Sequence, residues 1–433
     1  MVGGADPAWS GGSGPRNGRG PGVERHPGLR HRPVTSPASQ HRAGAAGPSR
    51  TPAASTDRSG GGLRAGLLRT GHAGTRRFPV SAVSHPARGA ERWERARGSG
   101  HTRGGSDRGA GQMQIGYKLA TEQYGPRELI RQAIAAEAAG FDFVEMSDHY
   151  HPWLDDQGHS AFTWSVLGAV AARTERIKLV TGVTCPSMRY HPAVVAQAAA
   201  TMALVSEGRF VLGVGSGERL NEHVTGTGWP SVAERHTRFR EALEIIRLLW
   251  QGGYRSYEGR HLRLEDARIF DLPAEPPLLA VAASGPASCR IAAELGDALF
   301  ATEEKPEIVR HYREAGGTGP GYAEVPLAWA ESESEGARAA LASFRWALTG
   351  WKVMSELPNP VNFEAATAQI REEDIRQRFA CGNDPQRCLE VAGPFLQAGF
   401  DRLVLMNAGP DPRGFLDFCD AELIGRLKQL AAG

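Results

Sequence analysis

The chain has 433 residues, of which 41% are hydrophobic and 23% charged, with a formal net charge of +2. This is ordinary globular usage, and no run of about 18 apolar residues marks a membrane helix. Five cysteines, an odd number without a Cys-x-x-Cys pair, argue against a disulfide framework or structural zinc and for a reducing, cytoplasmic setting.

The charge is divided unevenly. Residues 1–112 hold 18 Arg, no Lys and 6 acidic residues, and 24 of the 54 Gly. Such a stretch lacks the apolar periodicity needed to offset the entropy of ordering it, so a disordered leader is expected there. Alternatively, the start is placed too early and Met113 opens the protein. The scattered Arg, with no RGG array or groove-reading helix, argues against nucleic acid as a partner. Residues 113–433 carry 32 basic and 42 acidic residues and are expected to form one domain.

From Met113 onward, strand and helix signals alternate. Strand-like runs fall at 115–117, 141–146, 177–183 and 210–214, then at 278–282, 298–301, 325–329 and 402–406. Helical patterns lie at 127–140, 192–208, 231–250, 286–295, 306–315, 386–398 and 413–430. Residues 253–275 read as a hairpin insertion, and 330–384 are long enough to carry extra helices. Eight short apolar strands separated by helices predict an α/β fold, a (β/α)8 TIM barrel with insertions.

In such a barrel, chemistry sits just past the C-terminal ends of the strands. The segment after the second strand holds Asp148, His149, His151 and Trp153. After the third comes Cys185; after the fourth, Glu218 and Asn221; after the fifth, Ser284 and Gly285. A histidine and a glutamate from neighbouring strands can act as a proton donor and acceptor pair. They can equally serve structure, His149 at a strand end and Glu218 paired with Arg219. His149 and His151 lack an obvious third ligand, so no metal is expected. "GVGSG" at 213–217 is not a dinucleotide fingerprint, because Glu218 stands where that motif needs Gly or Ala. "ASGP" at 283–286 opens a helix whose free N–H groups suit a phosphate, or is an ordinary cap by Ser284.

These residues together resemble the luciferase-like TIM-barrel oxidoreductases. Within them they resemble the glucose-6-phosphate dehydrogenase-like branch that uses coenzyme F420, a 5-deazaflavin. The matching stretches are "IGYKLATEQYGP", "EMSDHYHPW", "VTCPSMRYHPAVVAQAAATM", "GVGSGERLNE" and "LVLMNAGPD". The resemblance implies catalytic roles for His149 and Glu218, with Trp153 lining the reacting face. It implies cofactor contacts from Asp148, Cys185, Asn221, Ser284 and Gly285, and a cis peptide at Gly182–Val183 behind the deazaflavin ring. Lys305 and Arg378 align with two of the cations that hold a sugar phosphate. Residues 354–366 offer no third lysine, which argues against glucose 6-phosphate. The implied reaction is hydride transfer between F420 and an alcohol, carbonyl or activated alkene. The alternatives are an FMN-dependent monooxygenase on the same barrel and an F420-dependent glucose-6-phosphate dehydrogenase proper. The expected partner is a small-molecule substrate, with no membrane or nucleic acid involved, and the expected assembly is a homodimer.

Overall fold

The computed structural model describes residues 113–432. The leader expected over 1–112 lies outside the described residues. Strand β1 (Gln114–Leu119) leads through α1 (Pro126–Ala138) to β2 (Phe143–Met146). Helix α2 (Thr163–Ala171) follows, then β3 (Lys178–Thr181), α3 (Pro192–Val205), β4 (Phe210–Val214) and the single turn α4 (Arg219–Glu222). Next come α5 (Val232–Leu249) and an antiparallel hairpin, β5 (Arg255–Glu258) and β6 (Arg263–Ala267). The barrel resumes with β7 (Leu278–Ala282), α6 (Pro286–Leu295), β8 (Ala298–Ala301), α7 (Pro306–Glu314) and β9 (Gly321–Ala328). Four helices are then inserted: α8 (Glu333–Phe344), α9 (Trp351–Met354), α10 (Pro360–Thr367) and α11 (Glu372–Arg378). The short β10 (Ala380–Cys381), α12 (Pro385–Gln397), β11 (Arg402–Asn407), α13 (Pro412–Phe418) and α14 (Ile424–Leu430) complete the described chain.

Eight of these strands close a ring in the order β1, β2, β3, β4, β7, β8, β9 and β11, every pairing parallel, with β11 returning to β1. The hairpin expected at 253–275 and the extra helices expected within 330–384 are both present. Three expectations change. Helix α2 had no sequence signal, because "TWSVLGAVA" is apolar on nearly every side and shows no polar face to set a period. The third strand stops at Thr181, where the chain kinks, instead of running to 183. The pattern at 413–430 is broken into two helices by a π turn at Cys419–Leu423, a widening that local propensity does not encode.

Alternate strand residues face the barrel interior. Phe143, Val180, Val211, Ala280, Phe300, Tyr322 and Val404 form its apolar plug. Gly116 is required beside that plug, since a Cβ there would lie 2.1 Å from the Phe143 ring. Two residues further along their strands, Lys118, Glu145 and Glu324 share the next layer. Lys118 Nζ donates to Glu145 Oε1 at 2.9 Å and to Glu324 Oε1 at 2.8 Å. Burial pushes the Glu145 carboxyl well up; Lys118 opposes this and the Glu324 charge adds to it. The next step along β2 reaches the mouth.

Candidate active site

The segment leaving β2 carries Ser147, Asp148 and His149, all buried. His149 stands between two carboxylates. Its Nδ1 lies 3.3 Å from Glu122 Oε1, just beyond β1, and 3.2 Å from the His151 carbonyl. Its Nε2 lies 3.5 Å from Glu218 Oε1, beyond β4. The His151 carbonyl can only accept, so with the Glu122 carboxylate beside it a proton sits on Nδ1. The Nε2 lone pair then faces a carboxylate, so a bond between them needs one further, transferable proton. Ser147 Oγ donates to Glu122 Oε2 at 3.3 Å and steadies the outer carboxylate.

Glu218 stands at the N-cap position of α4 with its side chain free of the helix amides, and Asn221 locks it in place. Asn221 Nδ2 donates to Glu218 Oε1 at 2.5 Å, while its Oδ1 accepts from the Tyr150 and His151 amides at 2.7 and 3.0 Å. One fully buried amide thus ties the β4 turn to the β2 turn. Asp148 faces away from this pair. Its Oδ2 accepts from Thr184 at 2.7 Å, and its Oδ1 from Arg189 and Tyr190, both at 3.1 Å. Arg189 also approaches Glu222, whose Oε2 accepts from the Arg189 amide at 2.9 Å. Burial pushes the Glu222 carboxyl up to about 8, although Arg189 pulls it down.

Beyond β3, the Gly182–Val183 peptide is cis. A Cβ at Gly182 would fall 1.4 Å from Glu145 Oε1, so no larger residue fits. Val183 packs on Gly215, where a Cβ would lie 2.8 Å from its Cγ2. Gly217 takes φ +82°, and a Cβ there would lie 2.8 Å from the buried Cys185 Sγ. The ends of β3 and β4 therefore meet as a wall of backbone and small side chains. Burial pushes the Cys185 thiol well up, so it is no nucleophile at neutral pH. At the start of α6, the Ser284 and Gly285 amides both donate to Ser288 Oγ, at 3.1 and 3.2 Å. The cap comes from Ser288, not from Ser284.

The inserted helices cover this mouth with an apolar cluster. Trp153 stacks on Trp346, with ring centroids 4.3 Å apart and planes at 13°. It meets Phe363 and the His149 ring edge-on, the latter at 4.8 Å. Met354, Phe379 and Leu220 belong to the same cluster. Lys305 and Arg378 stand beside carboxylates: Lys305 Nζ lies 2.8 Å from Glu303, and Arg378 Nη1 2.5 Å from Glu304. Among the described residues, no group of three or more His, Cys, Asp or Glu is placed to hold a metal, and no helix is long and apolar enough to cross a membrane.

The luciferase-like monooxygenase family model matches residues 106–402. The chain belongs to this luciferase-like family. It is 38% identical over 340 residues to the F420-dependent glucose-6-phosphate dehydrogenase of Nocardia farcinica, covering 74% of this chain and all of that protein. Among solved structures it is similar to an F420-dependent secondary alcohol dehydrogenase in complex with an F420-acetone adduct. That likeness has a TM-score of 0.69 and 28% identity, over 73% of this chain and 99% of the other. The F420-dependent tetrahydromethanopterin reductase from Methanopyrus kandleri, at 21% identity and TM-score 0.61 over 73% of this chain and 99% of that one, shares the fold.

The luciferase-like barrel brings His149, Glu218, Trp153 and Asn221 to one place. Val183, Gly182 and Cys185 form the adjoining wall. Asp148 is turned inward beneath it. Glu122, Arg189 and Trp346 escaped the sequence reading. Glu122 follows the first strand, so the rule that finds rim residues applies to it too. Trp346 carries no such signal, because an insertion brings it back over the mouth from more than 190 residues away.

Proposed function

We propose that the chain is an F420-dependent oxidoreductase that moves a hydride between the deazaflavin and an alcohol, carbonyl or activated alkene. The observation that carries this reading is His149 held between Glu122 and Glu218 against the Trp153 ring. The names of the relatives at 38% and 28% identity support F420 over FMN. The residues also fit the group. The backbone wall at Val183, Gly215 and Gly217 leaves a smooth surface for a flat tricyclic ring. Val183 would stand behind that ring, Asn221 beside it, and the Ser284 and Gly285 amides at the start of α6 would hold a tail phosphate. For that phosphate, Ser288 Oγ must yield the two amides or share them.

When bound, a deazaflavin supplies the two-electron acceptor or donor for hydride. The remaining work belongs to the protein. In oxidation, His149 Nε2 would take the alcohol proton, while Nδ1–H stays on the His151 carbonyl beside Glu122. Glu218, aligned by Asn221, would hold a proton beside the bound ring. Trp153 and the cluster above it exclude water and set the substrate carbon at the ring face. Five free, buried cysteines accord with a reducing, cytoplasmic setting, and the assembly is taken to be a homodimer. Titration with F420 and with FMN, followed by tryptophan fluorescence, tests the cofactor; size-exclusion chromatography with light scattering tests the assembly. Quenching by FMN but not by F420 would overturn the reading.

A further inference from the structure

The loop after β8 places Glu303, Glu304 and Lys305 side by side, and Arg378 closes α11 opposite them. The two ion pairs, Lys305 with Glu303 and Arg378 with Glu304, make a quartet of zero net charge. It lies at the rim of the barrel, because its loop follows the C-terminal end of β8, and Phe379, next to Arg378 in the chain, packs in the cluster that holds Trp153. Burial would raise the Glu304 carboxyl, yet the hydrogen bond from Arg378, with the Arg378 and Lys305 charges, holds it below the usual range. Glu304 is thus an anion at neutral pH. Its Oε1 is taken by Arg378, while its Oε2 is buried without a hydrogen-bond partner. A buried carboxylate oxygen of this kind is costly until a donor meets it, and it repels another anionic oxygen.

We infer that Glu303 and Glu304 are specificity-determining residues that close the two cations to anions and commit the site to uncharged substrates. A phosphate reaching Lys305 or Arg378 meets a carboxylate already bonded there and must either displace it or bear its repulsion. An uncharged alcohol meets no such repulsion. This deepens the proposed function and rests on it for the substrate class. The charge argument about the quartet stands apart from the cofactor.

The test is the affinity of inorganic phosphate, measured by calorimetry at fixed ionic strength without cofactor. Wild type is compared with Glu303→Gln, Glu304→Gln and the double variant. Freeing two cations from partly exposed ion pairs should tighten phosphate binding by about three- to thirtyfold in the double variant. Each single variant should show part of this gain, which keeps the test readable if the double variant folds poorly. Adding Arg378→Ala should remove the part of the gain that Glu304→Gln brings and leave the part that frees Lys305. Glu314→Gln, an exposed carboxylate at the end of α7, should produce none. With F420 present, the kcat/KM ratio of glucose 6-phosphate to 2-propanol should rise by a similar factor in the double variant. Wild type that binds phosphate as tightly as the double variant, or an equal gain in Glu314→Gln, overturns the inference. A failure of F420 to bind would refute the proposed function and leave the phosphate result standing.

Discussion

His149 illustrates how much a single residue depends on its neighbours. Glu122 and the His151 carbonyl hold one ring nitrogen at 3.3 and 3.2 Å, and Glu218 faces the other at 3.5 Å. Replacing His149 or Glu218 by Ala should lower turnover by about 10²–10⁴-fold with little change in cofactor affinity; steady-state kinetics and fluorescence titration measure the two effects separately. Full activity in either variant would return that residue to a structural role. Gly182 is constrained differently. A methyl group there would meet Glu145 Oε1 at 1.4 Å, and Glu145 is fixed in the barrel by Lys118. Gly182→Ala should therefore cost about 1–3 kcal/mol or more, the usual price of overpacking a core, as read by urea unfolding.

At the scale of elements, strands and insertion do different jobs. The strands aim His149 and Glu218, whereas helices α8 to α11 supply the roof. Trp346 is 8% exposed and stacks on Trp153, so Trp346→Ala should destabilise the fold by about 3–5 kcal/mol. The same change opens the apolar face beside His149. A higher KM for an apolar alcohol, with a smaller effect on cofactor affinity, is the expected kinetic result. An unchanged KM would show that the roof does not touch substrate. The hairpin is pinned by another element. Glu241 on α5 accepts from the amides of Arg260, His261 and Leu262, all at 2.9 Å. Despite burial, these bonds hold its carboxyl below the usual range.

For the whole molecule, buried carboxyls at the barrel axis and beneath the mouth set a pH dependence. Glu222 is pushed up to about 8 by burial, and Glu145 is raised in the same way. A carboxyl raised on folding binds its proton more tightly in the native state. Its contribution to stability is complete below the ordinary carboxyl pKa and is lost as pH rises towards about 8. Glu222→Gln should flatten the fall in stability between pH about 5 and about 8. Unfolding free energies at a series of pH values test this; an unchanged slope would show that Glu222 does not titrate in that window. Glu241 acts in the opposite sense, its contribution being lost as pH falls through its depressed value.

Much of this was legible in the chain before folding. A repeating order of short apolar strands and helices implies a closed parallel barrel, because each strand must be covered on both faces. The rim rule then locates His149, Trp153, Glu218 and Asn221, since the strand ends are local features. The tertiary structure alone decided which of these side chains face one another. Asp148 and His149 are adjacent in sequence yet point opposite ways, one into a buried cluster with Thr184, Arg189 and Tyr190, the other into the mouth. The roof over Trp153, the layer of Lys118, Glu145 and Glu324, and the pairing of Arg378 with Glu304 also emerge only on closure. Those contacts join residues from 27 to more than 200 positions apart, and neither periodicity nor local propensity carries information over such separations.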